Sequence, residues 1–268
     1  MMPRHSGPRH EEGAARRLKA APLVVVQRER RLSISPMTDA DVGPVAELYR
    51  AVWIHRGNYL ERLDPHAPGN FERAGGMFQI QDERGLSSLL RDESEFVWVA
   101  KGEDGEALGA FWCGLDDPKY LADGDIRPPA LRERLARSRA EGALYFSKEI
   151  LVAPGHRGGA LAEALFYAGM SHFAALGYKE TCGEVYRVRA VRDGRGAQGL
   201  NLLNSASFNM LLRTGARHEG VFAPVDIAAD GFDVCLSMQI LTWELASALI
   251  MTREALRAAG VLIWEGQA

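Results

Sequence analysis

Apolar positions recur along the chain with two periods, and the switches between them mark out the elements. RLSISPMT, residues 31–38, sets Leu32, Ile34 and Met37 against polar neighbours, as a half-buried strand requires. Over residues 39–53, DADVGPVAELYRAVW, Val42, Val45, Leu48 and Val52 fall at helical spacing, with Thr38, Asp39 or Asp41 able to cap the helix. A long polar and glycine-rich stretch follows, with a short helix predicted at RGLSSLLRDE, residues 84–93. EFVWVAK (95–101) and EALGAFWCGL (106–115) read as the strands of a hairpin, because Asp104-Gly105 within GEDG suits a tight turn.

Residues 116–142 read as an insertion, loop-like through DDPKYLADGDIRPP and then an exposed, charged helix, ALRERLARSRAEG. Beyond it come a strand, ALYFSKEILV (143–152), a helix, ALAEALFYAGMSHFAAL (160–176), closed by Gly177, and a second strand, ETCGEVYRV (180–188). RAVRDGRGAQG (189–199) is expected to be a loop and LNLLNSASFNMLLRT (200–214) a helix ended by Gly215. GARHEGVFAPVDI and DVCLSMQIL make a late antiparallel pair, and WELASALIMTREALRAAG an extra C-terminal helix. The strand–helix–strand unit in the middle crosses over right-handed and gives two parallel strands. The whole is an α/β fold, its sheet mixed in direction with helices on both faces. We expect a mobile tail over residues 1–20 and a single domain over 21–268, with insertions at 54–94 and 116–142.

Composition narrows the class. A chain of 268 residues can bury a real core, and 47% hydrophobic with 25% charged residues is ordinary for a soluble globular protein. The net charge of -3 gives no reason to expect a nucleic-acid partner. No apolar run approaches the ~20 residues of a membrane helix, and the basic N-terminal stretch lacks the apolar core of a signal peptide, so no membrane partner is expected. Cys113, Cys182 and Cys235 lie far apart in apolar segments, which suits buried thiols and a reducing, cytoplasmic setting. There is neither a CxxC pair nor HExxH, so no metal site is expected.

The chemistry concentrates in VAPGHRGGALAEAL, residues 152–165, where a strand turns into a helix through three glycines, His156 and Arg157. A helix N-terminus offers unpaired N–H groups and the positive end of its dipole, and small residues leave an anion room to approach. The same glycines also serve tight packing, so the residues alone leave both readings open. GxxxxGK[ST] and GxGxxG are both absent, which removes the usual nucleotide loops.

ILVAPGHRGGALAEAL resembles the acetyl-CoA signature of the GNAT superfamily of N-acetyltransferases, a strand ending V-x-P followed by [RQ]-x-x-G-x-[GA] at a helix start. Val152 and Pro154 match the first part; Arg157, Ala160 and Ala162 align with the second, Ala160 standing where that family usually has glycine. NSASFNMLLRTGARHEGVF is similar to the family's later helix, with Asn204 and Gly215 at its spacing, and the resemblance spans residues 31–241. It implies a mostly antiparallel GNAT-like sheet around a central parallel βαβ unit, acetyl-CoA as cosubstrate and an amine as acceptor. It assigns the backbone of Leu151 and Val152 to the pantetheine arm. The amides of Arg157, Gly158, Gly159, Ala160, Leu161 and Ala162 go to the pyrophosphate, and Asn204 to the region near the thiol.

Glu149 is then the candidate general base, with Glu184 a weaker substitute. The family's usual tyrosine acid falls at Leu211, which leaves Ser205, Ser207 or water for that task. The acceptor is expected to be a small molecule, in a site shaped by the insertions at 54–94 and 116–142. His55 and His66 are candidates to touch it, while Trp53, Tyr59, Phe71 and Phe78 read as core packing first and as a pocket wall second. A peptide amine, a longer acyl donor and a non-catalytic acyl-CoA-binding module stay open as alternatives, as does a homodimer through the C-terminal helix.

Overall fold

A strand with one apolar face needs neighbours on both edges and a layer above it, and this chain meets that need with one eleven-stranded sheet. The computed structural model describes residues 23–27, 30–117 and 126–265; the expected tail over 1–20 lies outside them. Along the chain, strands β1 (Leu23–Gln27) and β2 (Arg30–Pro36) lead to helix α1 (Val42–Val52) and to three short helices, α2 (Tyr59–Arg62), α3 (Phe71–Ala74) and α4 (Glu83–Arg91). The hairpin β3 (Glu95–Lys101) and β4 (Ala107–Gly114) follows, then β5 (Ile126–Arg127) and α5 (Pro129–Ala140). The central unit is β6 (Leu144–Val152), α6 (Leu161–Ala175) and β7 (Glu180–Asp193). After it come β8 (Gly196–Leu203), α7 (Ser205–Arg213), β9 (Arg217–Ala228), β10 (Asp233–Glu244), α8 (Leu245–Ala258) and β11 (Val261–Glu265).

The strand order is β11-β1-β2-β3-β4-β6-β7-β10-β9-β5, with β8 on the edge of β7. β6 and β7 run parallel, as the crossover through α6 demands, and the other ladders are antiparallel. α6 covers one face, where Phe111, Phe166, Phe173, Tyr145 and Trp243 fill the largest core. α1 and α4 cover the other, over Val97, Val99, Ala110 and Leu151. Tyr145 stacks on Phe173 at 3.9 Å and is a packed aromatic.

Four expectations change. RAVRDGRGAQG is no loop: β7 continues through it and β8 returns as a hairpin, because Val188, Val191 and Leu202 bury against Tyr59, Phe71 and Phe78. Its arginines and glycines look loop-like only while that partner is out of view. Tyr59, Phe71 and Phe78 are core residues, in keeping with their first reading, and this hairpin is what they pack on. The helix expected from residue 200 starts at Ser205, since Leu202 and Leu203 complete β8. The helix expected to be exposed, α5, buries Leu131 and Leu135 beside Phe146, Phe222 and Ile240. Two further strands, β1 and β11, pair with each other at the sheet's end.

Cys113 and Cys182 are buried, Cys235 is half-buried, and no disulfide joins them. α8 buries Leu245, Ala248 and Leu256 in the same core as α6, and turns Ile250 outward.

α6 approaches β4 so closely that a methyl group on Gly169 would lie 2.4 Å from Phe111, itself fully buried. Gly169→Ala is therefore expected to destabilise the fold by about 1–3 kcal/mol in urea denaturation, although alanine is the better helix former. Unchanged stability would contradict this packing.

Candidate active site

The site begins where two parallel strands part. β6 and β7 are paired from Leu144 and Glu180 to Ser147 and Gly183, and there the ladder stops. On the other edge of β6, Cys113 faces Ser147 while Trp112 faces Glu149, so Lys148 is an extra residue, a β-bulge. A bulge bends its strand and re-aims its side chains. β6 follows β4 away to Val152 while β7 continues along β10. β8 takes up the vacated edge of β7 only from Arg187, and Asn204 N–H donates to the Tyr186 carbonyl at 3.1 Å just before it.

The opening between them is a cleft open to solvent. Lys148, Glu149 and Ile150 line it from β6, Glu184 and Tyr186 from β7, and Asn204, Ser207 and Leu211 from the start of α7. Phe111, Phe166 and Trp243 supply its apolar wall. Ala153 N–H donates to the Leu108 carbonyl at 2.9 Å. Strand alternation then points the amide and carbonyl of Leu151 at β4 and those of Ile150 and Val152 into the opening. Of the two residues expected to offer backbone groups, Val152 thus faces the cleft, and Leu151 faces β4 with its side chain buried. The Val152 carbonyl accepts from Arg157 Nε at 3.3 Å.

Beyond Val152 the chain makes a 3-10 turn at Pro154–His156 and enters α6 through Arg157, Gly158, Gly159 and Ala160. Gly158 has φ +74° and Ala160 φ 60°, both left-handed. Alanine pays roughly 1–2 kcal/mol for that conformation, so the geometry of the turn is imposed by what surrounds it. The result swings the chain from strand to helix and leaves the first-turn amides of Leu161, Ala162 and Glu163 without partners inside the helix. A Cβ on Gly158 would meet no atom within 4 Å, so the approach is open. The one carboxylate in that turn, Glu163, is held by Arg213 of α7 at 2.7 Å. Burial, and after it the charge of Arg62, hold the Arg157 guanidinium below its ordinary pKa.

The bulge sends Lys148 and Glu149 to the same face, beneath α1. Lys148 Nζ lies 2.5 Å from Glu95 Oε1 and 5.1 Å from the centre of the Trp112 ring; Trp112 Nε1 donates to the other Glu95 oxygen at 2.6 Å. Glu149 accepts a hydrogen bond from the hydroxyl of Tyr49, on α1. Burial, and then the Glu149 charge, push the Tyr49 phenol well above its ordinary pKa. Tyr186 is raised likewise, by burial first and then by Glu184 and Glu149. Sequence reasoning passed over both tyrosines. Tyr49 sits in the apolar stripe of α1, and Tyr186 stands two residues from Glu184, on the same strand face.

Asn204 caps α7, its Oδ1 accepting from Ser207 N–H at 3.1 Å. A Cβ on Gly75 would fall 2.9 Å from Asn204 Nδ2, so the segment after α3 crosses directly over this cap. Gly76 and Met77 of that segment line the cleft, and Trp53 and Met77 form a parallel bridge. Leu211 is buried, Ser207 reaches the cleft, and Ser205 Oγ turns to Glu72 at 3.4 Å. His55, His66, His172 and His218 do not line the cleft. His172 packs beside Trp98 and Phe96, with its pKa lowered by burial, and His218 lies against Phe208. The His55 ring accepts from Gly57 N–H at 3.0 Å, and His66 is exposed. Among the described residues no group of three or more side chains is arranged to hold a metal ion.

No protein-family model matches the sequence, and no curated protein matches it. Solved structures do resemble the fold. An N-acetyltransferase from Staphylococcus aureus Mu50 is 15% identical, with 80% of this chain and 98% of that chain covered and a TM-score of 0.46. RimJ from Mycobacterium smegmatis, solved in complex with CoA-disulfide, is 17% identical over 90% of this chain and 97% of that chain, with a TM-score of 0.47. The ribosomal-protein-S18-alanine N-acetyltransferase from Escherichia coli is 12% identical over 80% and 94%, also at 0.47. In the course of its backbone, at low identity, the chain is similar to N-acetyltransferases.

Proposed function

We propose that this protein is a GNAT-type N-acetyltransferase that moves the acetyl group of acetyl-CoA to the amine of a small acceptor. One observation carries the reading: two parallel strands separate at a bulge, and the strand that leaves runs straight into an anion-competent helix N-terminus. An extended thioester arm fits such an opening, pairing with the strand amides and carbonyls that β7 no longer reaches. Ile150 and Val152 supply those groups, and Arg157 gives up the Val152 carbonyl as the arm enters. The amides from Arg157 to Ala162, through Gly158, Gly159, Ala160 and Leu161, hold the pyrophosphate. Asn204 borders the arm near its thiol end.

Glu149, one residue past the bulge, takes a proton from the acceptor's ammonium group. The amine nitrogen then bonds to the thioester carbon, the C–S bond breaks, and the sulfur leaves with the electron pair. The proton lost by the new amide nitrogen passes to the sulfur or to solvent, and Glu149 returns its own to water. Leu211 offers no hydroxyl to protonate the sulfur; Ser207 and water are the groups at hand. The segment around Gly76 and Met77 lines the cleft from the inserted region, which supports a small acceptor over a protein tail.

Acetyl-CoA at ~100 times its dissociation constant is expected to stabilise the protein by about 2.7 kcal/mol. Ala160→Asp should abolish that effect while leaving the unliganded fold intact. Aspartate tolerates left-handed backbone better than most residues, and its carboxylate would meet the pyrophosphate. Binding that survives in Ala160→Asp would sink the phosphate assignment. Glu149→Gln should lower kcat by roughly 10²–10⁴, as loss of a general base does, with acetyl-CoA affinity preserved. Parental turnover across an amine panel would remove Glu149 from the role, and tight binding with no transfer in the parent would mark a non-catalytic acyl-CoA-binding module.

A further inference from the structure

Glu149 and Tyr49 are 100 residues apart, and the fold joins them by a hydrogen bond from the phenol to Oε2. Tyr49 is 2% exposed and stands in the buried stripe of α1 with Val45, Leu48 and Val52. A ring so confined has little rotamer freedom, so its hydroxyl is a fixed point. The carboxylate it meets ends a side chain with several rotatable bonds, and this hydrogen bond fixes one of its oxygens.

Charged and polar groups surround Glu149 from several elements. On its own strand Lys148 is engaged by Glu95 of β3, and Trp112 of β4, the register partner of Glu149, gives its N–H to that same Glu95. From β7, Glu184 and Tyr186 face it, and the charge of Asp117, three residues beyond β4, also reaches Tyr186. Glu184 and Asp117 are carboxylates, and Tyr186 is a phenol that burial and those charges keep neutral. Tyr49 adds a donor fixed in place by the packing of α1.

We propose that Tyr49 is a positioning residue for Glu149, holding Oε2 so that the carboxylate keeps one orientation toward the cleft. This rests on the acetyltransfer reading above. The phenol does not touch the amine; it acts through the carboxylate. A hydrogen bond to the charged form of an acid favours that form, so removing the donor raises the acid's pKa. The base would then remain protonated, and idle, to a higher pH.

Tyr49→Phe keeps the ring and removes the donor. The acidic limb of its kcat/KM profile is expected to move up by about one pH unit, the scale of one charge-assisted hydrogen bond. kcat near neutral pH should fall by roughly tenfold with acetyl-CoA affinity unchanged. Replacing Tyr49 by 3-fluorotyrosine, nearly the same in shape but a stronger donor, should move the limb down instead. This second probe serves if Tyr49→Phe fails to fold. Adding Tyr49→Phe to Glu149→Gln should cost no further activity, because the tyrosine works only through the glutamate. A limb that stays in place in both Tyr49 variants, in an enzyme that Glu149→Gln disables, overturns the inference alone. A parent that neither binds acetyl-CoA nor transfers its acetyl group overturns the acetyltransfer reading and this one with it.

Discussion

The parting of β6 from β7 is the constraint on which the rest of the site depends. A parallel pair satisfies its backbone groups only while its strands stay about 4.8 Å apart. One extra residue, Lys148, ends that pairing after Ser147 while β6 keeps its antiparallel bonds to β4. Every later feature inherits this. Ile150 and Val152 face a gap in place of a strand, Glu149 is re-aimed beneath α1, and the strand end delivers the chain to the turn that starts α6. The bulge also brings Lys148 to the face of Glu149, where Glu95 and Trp112 engage its charge.

A gap in a sheet exposes unpaired edges, and this protein limits the exposure from two sides. The β7–β8 hairpin covers the edge of β7 from Arg187 onward, and Asn204 closes on the Tyr186 carbonyl. From the other side the segment between α1 and α4 lays Tyr59, Phe71 and Phe78 on that hairpin and carries Gly75 and Gly76 past Asn204. Hairpin and inserted segment bury each other's apolar faces. Neither would keep its form alone, since a lone two-stranded ribbon is marginal in water. What remains open is therefore a bounded cleft with acidic and phenolic groups on one face and aromatic rings behind.

Legibility in the sequence followed the range of the interaction. The β3–β4 hairpin, α1, β6, α6 and the left-handed turn before α6 rest on periods and turn residues within a few positions of each other, and each is found close to where its pattern lies. Ala160 shows the limit of such rules: a local preference for glycine yields to a turn that its surroundings hold in place. The hairpin at 189–199 was misread because its composition is that of a loop while its stability comes from rings more than a hundred residues upstream. β1 and β11 are short and stabilise each other from opposite ends of the chain, which no local window captures.

The sequence by itself determined the α/β class, the crossover unit, the small-residue turn and a short list of carboxylates. It did so because periodicity, capping and backbone strain are local physics. Only the tertiary structure decided that Lys148 is the bulge, that Val152 and not Leu151 turns its backbone to the cleft, and that Tyr49 meets Glu149. Those outcomes depend on ladder register and helix packing between distant segments. A one-residue change of register reverses every side chain on a strand, and nothing inside the strand records which register its neighbours will impose.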